Sequence, residues 1–283
     1  MTSIPKESSG MRVTLASQAA PNRAENEDAA IHLGQVVGVF DGVTEPRDTE
    51  TGCAHGPAWY VQRLTARLRE VIDEEPAVGL SPALAAAITR VRDDHGGQCD
   101  LANPATPAAA VCLVRVCGER LEYLILSDCT LVVDQGSQVT TFTDERFAEI
   151  ITRLRLKAYA EEPAQAPILG HTPGKYNLVN QPDGYWIAGS DPEAAYRAVV
   201  GDLPLTGSKR VRRAALLTDG ASCAVDLYRI MDWKTLLDTL GLEGPGHLIS
   251  LVRQIENEDQ SNVRYPRFKR HDDSTAAFCQ FEE

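Results

Sequence analysis

Apolar residues fall in short unbroken runs near the start of the chain and at helical spacing after it. Arg12 to Ser17, Asp28 to Leu33 and Gln35 to Phe40 read as strands. Pro57 to Asp73 carries Val61, Leu64, Leu68 and Val71 at steps of three and four, which predicts an amphipathic helix. Ser81-Pro82 supplies an N-cap and first-turn pair for a second helix reaching about Asp94. Both apolar stripes need a sheet to cover. Ala108 to Val116, Leu121 to Ser127 and Thr130 to Asp134 then predict a meander with tight turns at Cys117-Gly118-Glu119 and Gln135-Gly136. Turns this short cannot make parallel crossovers, so the pairing must be antiparallel.

Further on, Asp144 to Glu161 predicts a helix and Glu162 to Gly184 a long irregular excursion, so about 144–184 is a candidate lid or flap. Tyr185 to Ala188 and Ala214 to Leu217 read as strands. Ser190 reads as the cap of a helix with Glu193 in the capping-box position. Leu248, Leu251, Val252 and Ile255 mark a late helix, and Thr275 to Phe281 a last strand. The expected class is α+β, two antiparallel sheets face to face with helices outside. A short flexible segment over 1–10 and one domain over 11–283 are expected.

Composition narrows the function. The 283 residues are 43% hydrophobic and 24% charged, an ordinary globular balance. A formal net charge of -12 excludes an extended nucleic-acid surface. The basic clusters at Lys209 to Arg213 and Arg264 to Arg270 read as solvated loops. The seven cysteines, at 53, 99, 112, 117, 129, 223 and 279, form no Cys-x-x-Cys pair, and no Cys or His set stands at zinc spacing. Cys112, Cys129 and Cys279 lie in apolar runs and read as core; Cys53 reads as an exposed, oxidisable thiol. Met1 to Gly10 lacks the apolar core of a signal peptide, and no run is long enough to span a bilayer. A soluble protein of a reducing cytoplasm, without a membrane partner, is expected.

Two apolar strands end abruptly in Asp-Gly: Val36 to Phe40 runs into Asp41-Gly42, and Ala214 to Thr218 into Asp219-Gly220. One Asp-Gly is usually a turn. Here Arg23-Ala24-Glu25-Asn26-Glu27-Asp28 precedes the first, and His271-Asp272-Asp273-Ser274-Thr275 precedes the last strand. Two unit charges about 4 Å apart at an effective dielectric near 20 repel by about 4 kcal/mol, so gathering such carboxylates calls for a cation. An all-oxygen donor set points to magnesium or manganese.

In order and spacing these motifs resemble the PP2C-type (PPM) metal-dependent protein serine/threonine phosphatases. The likeness also takes in Ala105-Thr106 and Leu126-Ser127-Asp128-Cys129, and extends from about Arg12 to Phe281. It implies a four-layer α-β-β-α sandwich and hydrolysis of phosphoserine or phosphothreonine by attack of a bridging metal hydroxide on phosphorus. Asp41 would bridge two ions with the Gly42 carbonyl as a further ligand. Asp219 and Asp272 would complete one ion; Glu27 and Asp28 would hold or orient the second and its waters. Asp128 would help hold a third, weaker ion. Asp272 is preferred because it stands three residues before Thr275, and Asp273, where the family has Asn, is the reserve. Arg23 would bind phosphate through its planar fork, unless it pairs with Glu25 on the surface. Arg23, Asp41 and Asp219 are thus the expected catalytic residues.

The chain departs from the pattern after the first Asp-Gly. Val43-Thr44-Glu45-Pro46 replaces a His that many members carry, leaving His55 or a metal-bound water to protonate the leaving group. A loop role for His55 is the plainer reading. Phosphorylated proteins opposing a serine/threonine kinase are the implied partners. The alternatives are a silent phosphoprotein-binding module that kept the fold, and a hydrolase of small phosphorylated metabolites.

Overall fold

The computed structural model describes residues 10–21, 23–45, 50–161, 172, 174–267 and 269–282. The expected N-terminal segment, apart from Gly10, and residues 162–171 and 173 of the expected lid lie outside the described residues.

One five-stranded antiparallel sheet follows the order β2-β3-β4-β5-β8. Its strands are β2 (Asp28–Leu33), β3 (Val36–Gly42), β4 (Ala109–Cys117), β5 (Arg120–Leu126) and β8 (Val199–Pro204). The other runs β1-β10-β9-β6-β7, also five strands and antiparallel. It comprises β1 (Met11–Gln18), β6 (Thr130–Asp134), β7 (Val139–Phe142), β9 (Arg213–Leu217) and β10 (Ser274–Phe281). Helices α1 (Pro57–Glu74) and α2 (Leu80–Asp94) cover the first sheet. The second is covered by α4 (Asp219–Asp226), α5 (Trp233–Leu242) and α6 (Pro245–Glu258). A further helix, α3 (Arg146–Glu161), follows β7.

Strand parity sorts the core into layers, because alternate side chains face opposite sides of a sheet. Val37 and Val39 of β3, Cys112 and Val114 of β4, Leu131 of β6, Leu216 of β9 and Cys279 of β10 meet between the sheets. Their alternates Phe40 and Leu113 pack under α1 and α2, and Val132, Leu217 and Phe278 under α4, α5 and α6. Sheets covered on both faces explain why the strands read as continuous apolar runs. Asp41 continues the series 37, 39 and so falls at one end of the layer between the sheets. Asp28 is its register partner on β2.

The antiparallel sandwich and flanking helices are as the sequence predicts, and Gly118 and Gly136 take the positive φ that their tight turns require. Four elements escape the hydrophobic pattern. β7 has four residues with none buried, and β8 is an edge strand carrying Gly, Asp and Pro. α4 begins at the second Asp-Gly, which reads as a turn, and α5 follows it closely. The Tyr185 to Ala188 strand is not formed; Tyr185 and Ala188 make single bridges to Val179 and Ala109. Ser81 lies inside α2, whose N-cap is Gly79. Asp191, not Ser190, caps the short 3-10 turn Pro192–Arg197 by accepting the Glu193 amide, while the Ser190 hydroxyl donates to the Leu101 carbonyl. Among the described residues no helix is long and apolar enough to cross a membrane.

Candidate metal and phosphate site

Both Asp-Gly pairs arrive at one end of the sandwich, and both glycines are required by close backbone approach. A Cβ on Gly42 would stand 2.4 Å from the Glu27 carbonyl oxygen, which accepts the Gly42 amide at 3.0 Å. A Cβ on Gly220 would collide with the Asp273 carbonyl. Neither glycine has a positive φ. Each lets the strand carrying one acid press against the segment carrying another, so Asp41 is tied to the Glu27-Asp28 segment and Asp219 to Asp272-Asp273.

Asp41, Gly42, Asp128, Asp219 and Asp272 line one cavity of about 230 Å³. The Asp219 amide, at the N-terminus of α4, lies 3.4 Å from Asp41 Oδ2. A helix N-terminus favours negative charge there. Asp28 is buried just behind, accepting the Thr218 hydroxyl at 2.8 Å. Thr218 Oγ1 in turn accepts the Thr275 amide at 3.0 Å, so this threonine fastens β10 to β2.

The two candidates at 272 and 273 separate cleanly. Asp273 is buried and accepts the backbone amides of Ala20 at 2.7 Å and Glu27 at 2.6 Å, so its carboxylate holds the Arg23 to Asp28 loop. Asp272 is the one that faces the cavity.

Arg23 pairs with Glu27 at 2.5 Å rather than with Glu25, and lies 3.4 Å from Thr44 Oγ1. Thr44 donates to Glu27 at 2.6 Å and accepts from Lys269 Nζ at 2.8 Å. Lys269 also pairs with Asp272 at 2.7 Å. Arg23 and Glu27 therefore reach the cavity lining through Thr44, and Asp28 approaches it through Thr218, the neighbour of Asp219, while none of the three belongs to the lining.

Lys269 corrects the sequence reading of Arg264 to Arg270 as a solvated loop: its ammonium lies in the carboxylate cluster, and Arg267 is buried against Asp259 at 2.7 Å. Lys175 and Arg155 line the same cavity and also escape the sequence reading. The segment expected as a lid contributes Phe147, Ile151, Arg155, Thr172 and Lys175 to that lining. His55 does not; its ring stacks on Trp59 with centroids 3.9 Å apart. No histidine lines the cavity among the described residues.

Electrostatics follow from burial and crowding. Removal from water, then the charges of Asp219 and Asp28, push Asp41 well above the usual carboxylate range. Asp28 is pushed up by burial and then by Asp219 and Asp273, against the Thr218 hydrogen bond. Asp128 and Asp219 are raised chiefly by burial, although Asp219 as a residue is exposed at the cavity. Asp272 rises to about 7 through burial and Asp219. For Lys269, burial works downward but Asp272, Asp219 and Asp41 outweigh it, taking the amine up to about 12. Burial lowers Lys175. Of the cavity's cations Lys269 is the one shown paired with a cavity carboxylate, which leaves the acids short of positive charge, and the donors are all oxygen, so their chemistry suits hard divalent cations.

No protein-family model and no curated protein matches the sequence. Solved structures do match the fold. The catalytic domain of the serine/threonine protein phosphatase PstP, in complex with two manganese ions, is 16% identical at a TM-score of 0.58, covering 96% of this chain and 99% of that one. The serine/threonine phosphatase Stp1 from Staphylococcus aureus is 13% identical at 0.58, covering 97% and 96%. The PPM phosphatase MsPP from Mycobacterium smegmatis, solved with cacodylate, is 15% identical at 0.55, covering 96% and 98%. The chain therefore has the α+β sandwich fold of the PP2C/PPM-type phosphatases over nearly its whole length.

Proposed function

We propose that the protein is a manganese- or magnesium-dependent phosphatase acting on phosphoserine or phosphothreonine in proteins. The observation that carries this reading is the convergence of Asp41, Asp219 and Asp272, from three separate segments, on one cavity whose wall also bears Lys175, Arg155 and Lys269. Carboxylates suit divalent ions and the cations suit a phosphoryl group. Bound there, such ions supply charge neutralisation and a water of lowered pKa for attack on phosphorus.

The chain's own residues do the rest. Asp219 and Asp272 would hold one ion and Glu27 and Asp28 would hold or orient the second, with Asp41 serving both, the Gly42 carbonyl a further ligand, and Asp128 helping to hold a weaker third. Asp273 fixes the loop that carries Arg23 and Glu27. Thr44 links that loop to Lys269, so an anion drawing Lys269 or Arg23 inward would move against one shared hydroxyl. A second cavity, about 1020 Å³, shares Asp128 and Asp219 with the first and runs past Thr141, Leu156 and Trp233. That groove favours a polypeptide substrate over a small metabolite.

The test is turnover of a phosphothreonine peptide and of an aryl phosphate by chelator-stripped protein, with and without manganese. Hydrolysis of both, restored only by metal, is the expected result. Undiminished turnover after exhaustive chelation would remove the metal-dependent reading, and no turnover with metal would favour the silent module.

A further inference from the structure

Away from the carboxylates, the segment before α1 and the end of α2 bring together Cys53, His55, His95 and Cys99. We propose that these four residues form a structural zinc site. It escapes the sequence reading because the two halves, Cys-x-His and His-x-x-x-Cys, are separated by the length of a helical hairpin.

The Sγ atoms of Cys53 and Cys99 are 3.1 Å apart, and each lies 3.5 Å from His55 Nδ1. Cys53, His55 and His95 place their ligand atoms within 4.8 Å of one another, the one such group of three among the described residues. Tetrahedral zinc, with Zn–S about 2.3 Å and Zn–N about 2.0 to 2.1 Å, would set sulfurs about 3.8 Å apart and S to N at about 3.6 Å. Both thiols already stand at the matching distance from His55. The thiols must part by about 0.7 Å, on side chains that are only half-buried.

His95 supplies an independent observation. It is 4% exposed, and its Nδ1 lies 2.8 Å from the Val91 carbonyl. A carbonyl only accepts, so Nδ1 carries the proton and Nε2 the lone pair. Among the described residues that buried Nε2 has no hydrogen-bond partner, and an unsatisfied buried lone pair costs stability unless something electrophilic meets it. An imidazole oriented through Nδ1–H to a carbonyl and ligating through Nε2 is a standard arrangement for zinc. Burial and the Cys99 contact raise the Cys53 thiol to about 11, and the His55 amide, pointing at Cys53 Sγ at 3.4 Å, works against them as a bound cation would. The surrounding loops are clasped by the Asp100 amide on the Gly52 carbonyl at 2.8 Å and Asn103 on the Glu50 carbonyl at 2.8 Å. Trp59 packs on both imidazoles, with centroids 3.9 and 4.8 Å away. Soft sulfur and imidazole donors select zinc over the hard ions suited to the carboxylates. Bound zinc would fasten the start of α1 to the end of α2 and anchor the chain arriving from Asp41-Gly42.

The experiment measures zinc per chain in protein purified under reducing conditions and washed with a mild chelator, for the wild type and for Cys53→Ser, His95→Ala and Cys99→Ser. An Asp41→Asn/Asp219→Asn double variant separates this site from the carboxylates. One zinc per chain is expected in the wild type and the double variant, and loss in the other three. Cobalt replacing zinc should give the visible bands and thiolate charge-transfer absorption of a tetrahedral sulfur–nitrogen site. Stripping zinc with a strong chelator should lower Tm by about 5 °C or more. If ligand variants fail to fold, the cobalt spectrum and zinc content of the wild type decide. Zinc absent from the wild type, or lost with the Asp variants and kept in the Cys and His variants, overturns the proposal. So does a Cys53–Cys99 disulfide, seen as two fewer titratable thiols and no bound metal.

Discussion

Lys269 Nζ lies 2.7 Å from Asp272 Oδ1, which puts a lysine ammonium inside a cluster of acids suited to divalent metal. The amine partly offsets the crowding of Asp41, Asp219 and Asp272. Lys269→Met should therefore destabilise the metal-free protein by about 1 to 3 kcal/mol, since it leaves carboxylates unpaired in a half-buried site. With the competing cation gone, manganese should stabilise this variant more than the wild type. Thermal melts of chelated protein, with and without manganese, check both halves; an equal manganese-induced shift would show that the amine does not compete with metal.

Asp41→Asn should act in the opposite direction on stability. Burial and neighbouring carboxylates raise Asp41, so neutralising it relieves repulsion and should raise metal-free stability by about 1 to 2 kcal/mol. Turnover should fall at least about a hundredfold, as expected when a metal ligand is lost. A variant with near-normal rates would place the site elsewhere. Asp273→Asn offers the contrast: it keeps a polar side chain beside the amides of Ala20 and Glu27, and should lower stability more than it lowers turnover at saturating manganese.

Much of this site was legible because acids at the ends of apolar strands have few structural uses. Strand parity alone places Asp41 on the face between the sheets, and an all-oxygen donor set is readable from residue types. The second Asp-Gly was harder: Asp219 opens a helix, and Gly220 is needed for contact with the Asp273 backbone rather than for a turn. Lys269 was hidden in a basic run whose neighbours do other work. Thr218 and Thr44 gave no signal, because a hydroxyl becomes informative only when folding brings it to a carboxylate. Cys53 and Cys99 fail every short-range spacing rule and meet only because α1 and α2 form a hairpin.

The same crowding fixes how metal-free stability varies with pH. Asp272 has its pKa raised to about 7 in the fold, against about 3.9 for an ordinary Asp. A raised carboxylate contributes stability that is fully present below its unfolded pKa and lost as pH rises through its folded value. Chelated protein should therefore lose about 2 kcal/mol from this residue between about pH 4 and pH 7, after allowing for its partial exposure. Saturating manganese should reverse the trend, because metal holds the carboxylate ionised. Melts of the wild type and Asp272→Asn across this range, with and without manganese, check it. Parallel pH profiles for the two proteins without metal would show that Asp272 is not strained.

The last prediction decides which cation holds the phosphoryl group. Arg23 has the better geometry for phosphate, since its planar fork donates to two oxygens at once. In this structure, however, that fork is engaged with Glu27 at 2.5 Å and lies outside the cavity lining, whereas Lys175 and Lys269 face the cavity directly. Metal drawing on Glu27 would weaken that pairing and release Arg23, so the arginine should matter only in the loaded enzyme. Arg23→Ala should then raise KM for a phosphothreonine peptide about tenfold or more at saturating manganese, and Arg23→Lys should recover little, because a point charge cannot replace the fork. Lys175→Ala should raise KM only a few-fold, since its half-buried amine gives one directional contact at most. Steady-state kinetics of the three variants on one peptide make the comparison. If Lys175→Ala carries the large KM effect and Arg23→Ala the small one, phosphate is bound from the α3 side of the cavity, and the Arg23–Glu27 pair serves only to hold its loop.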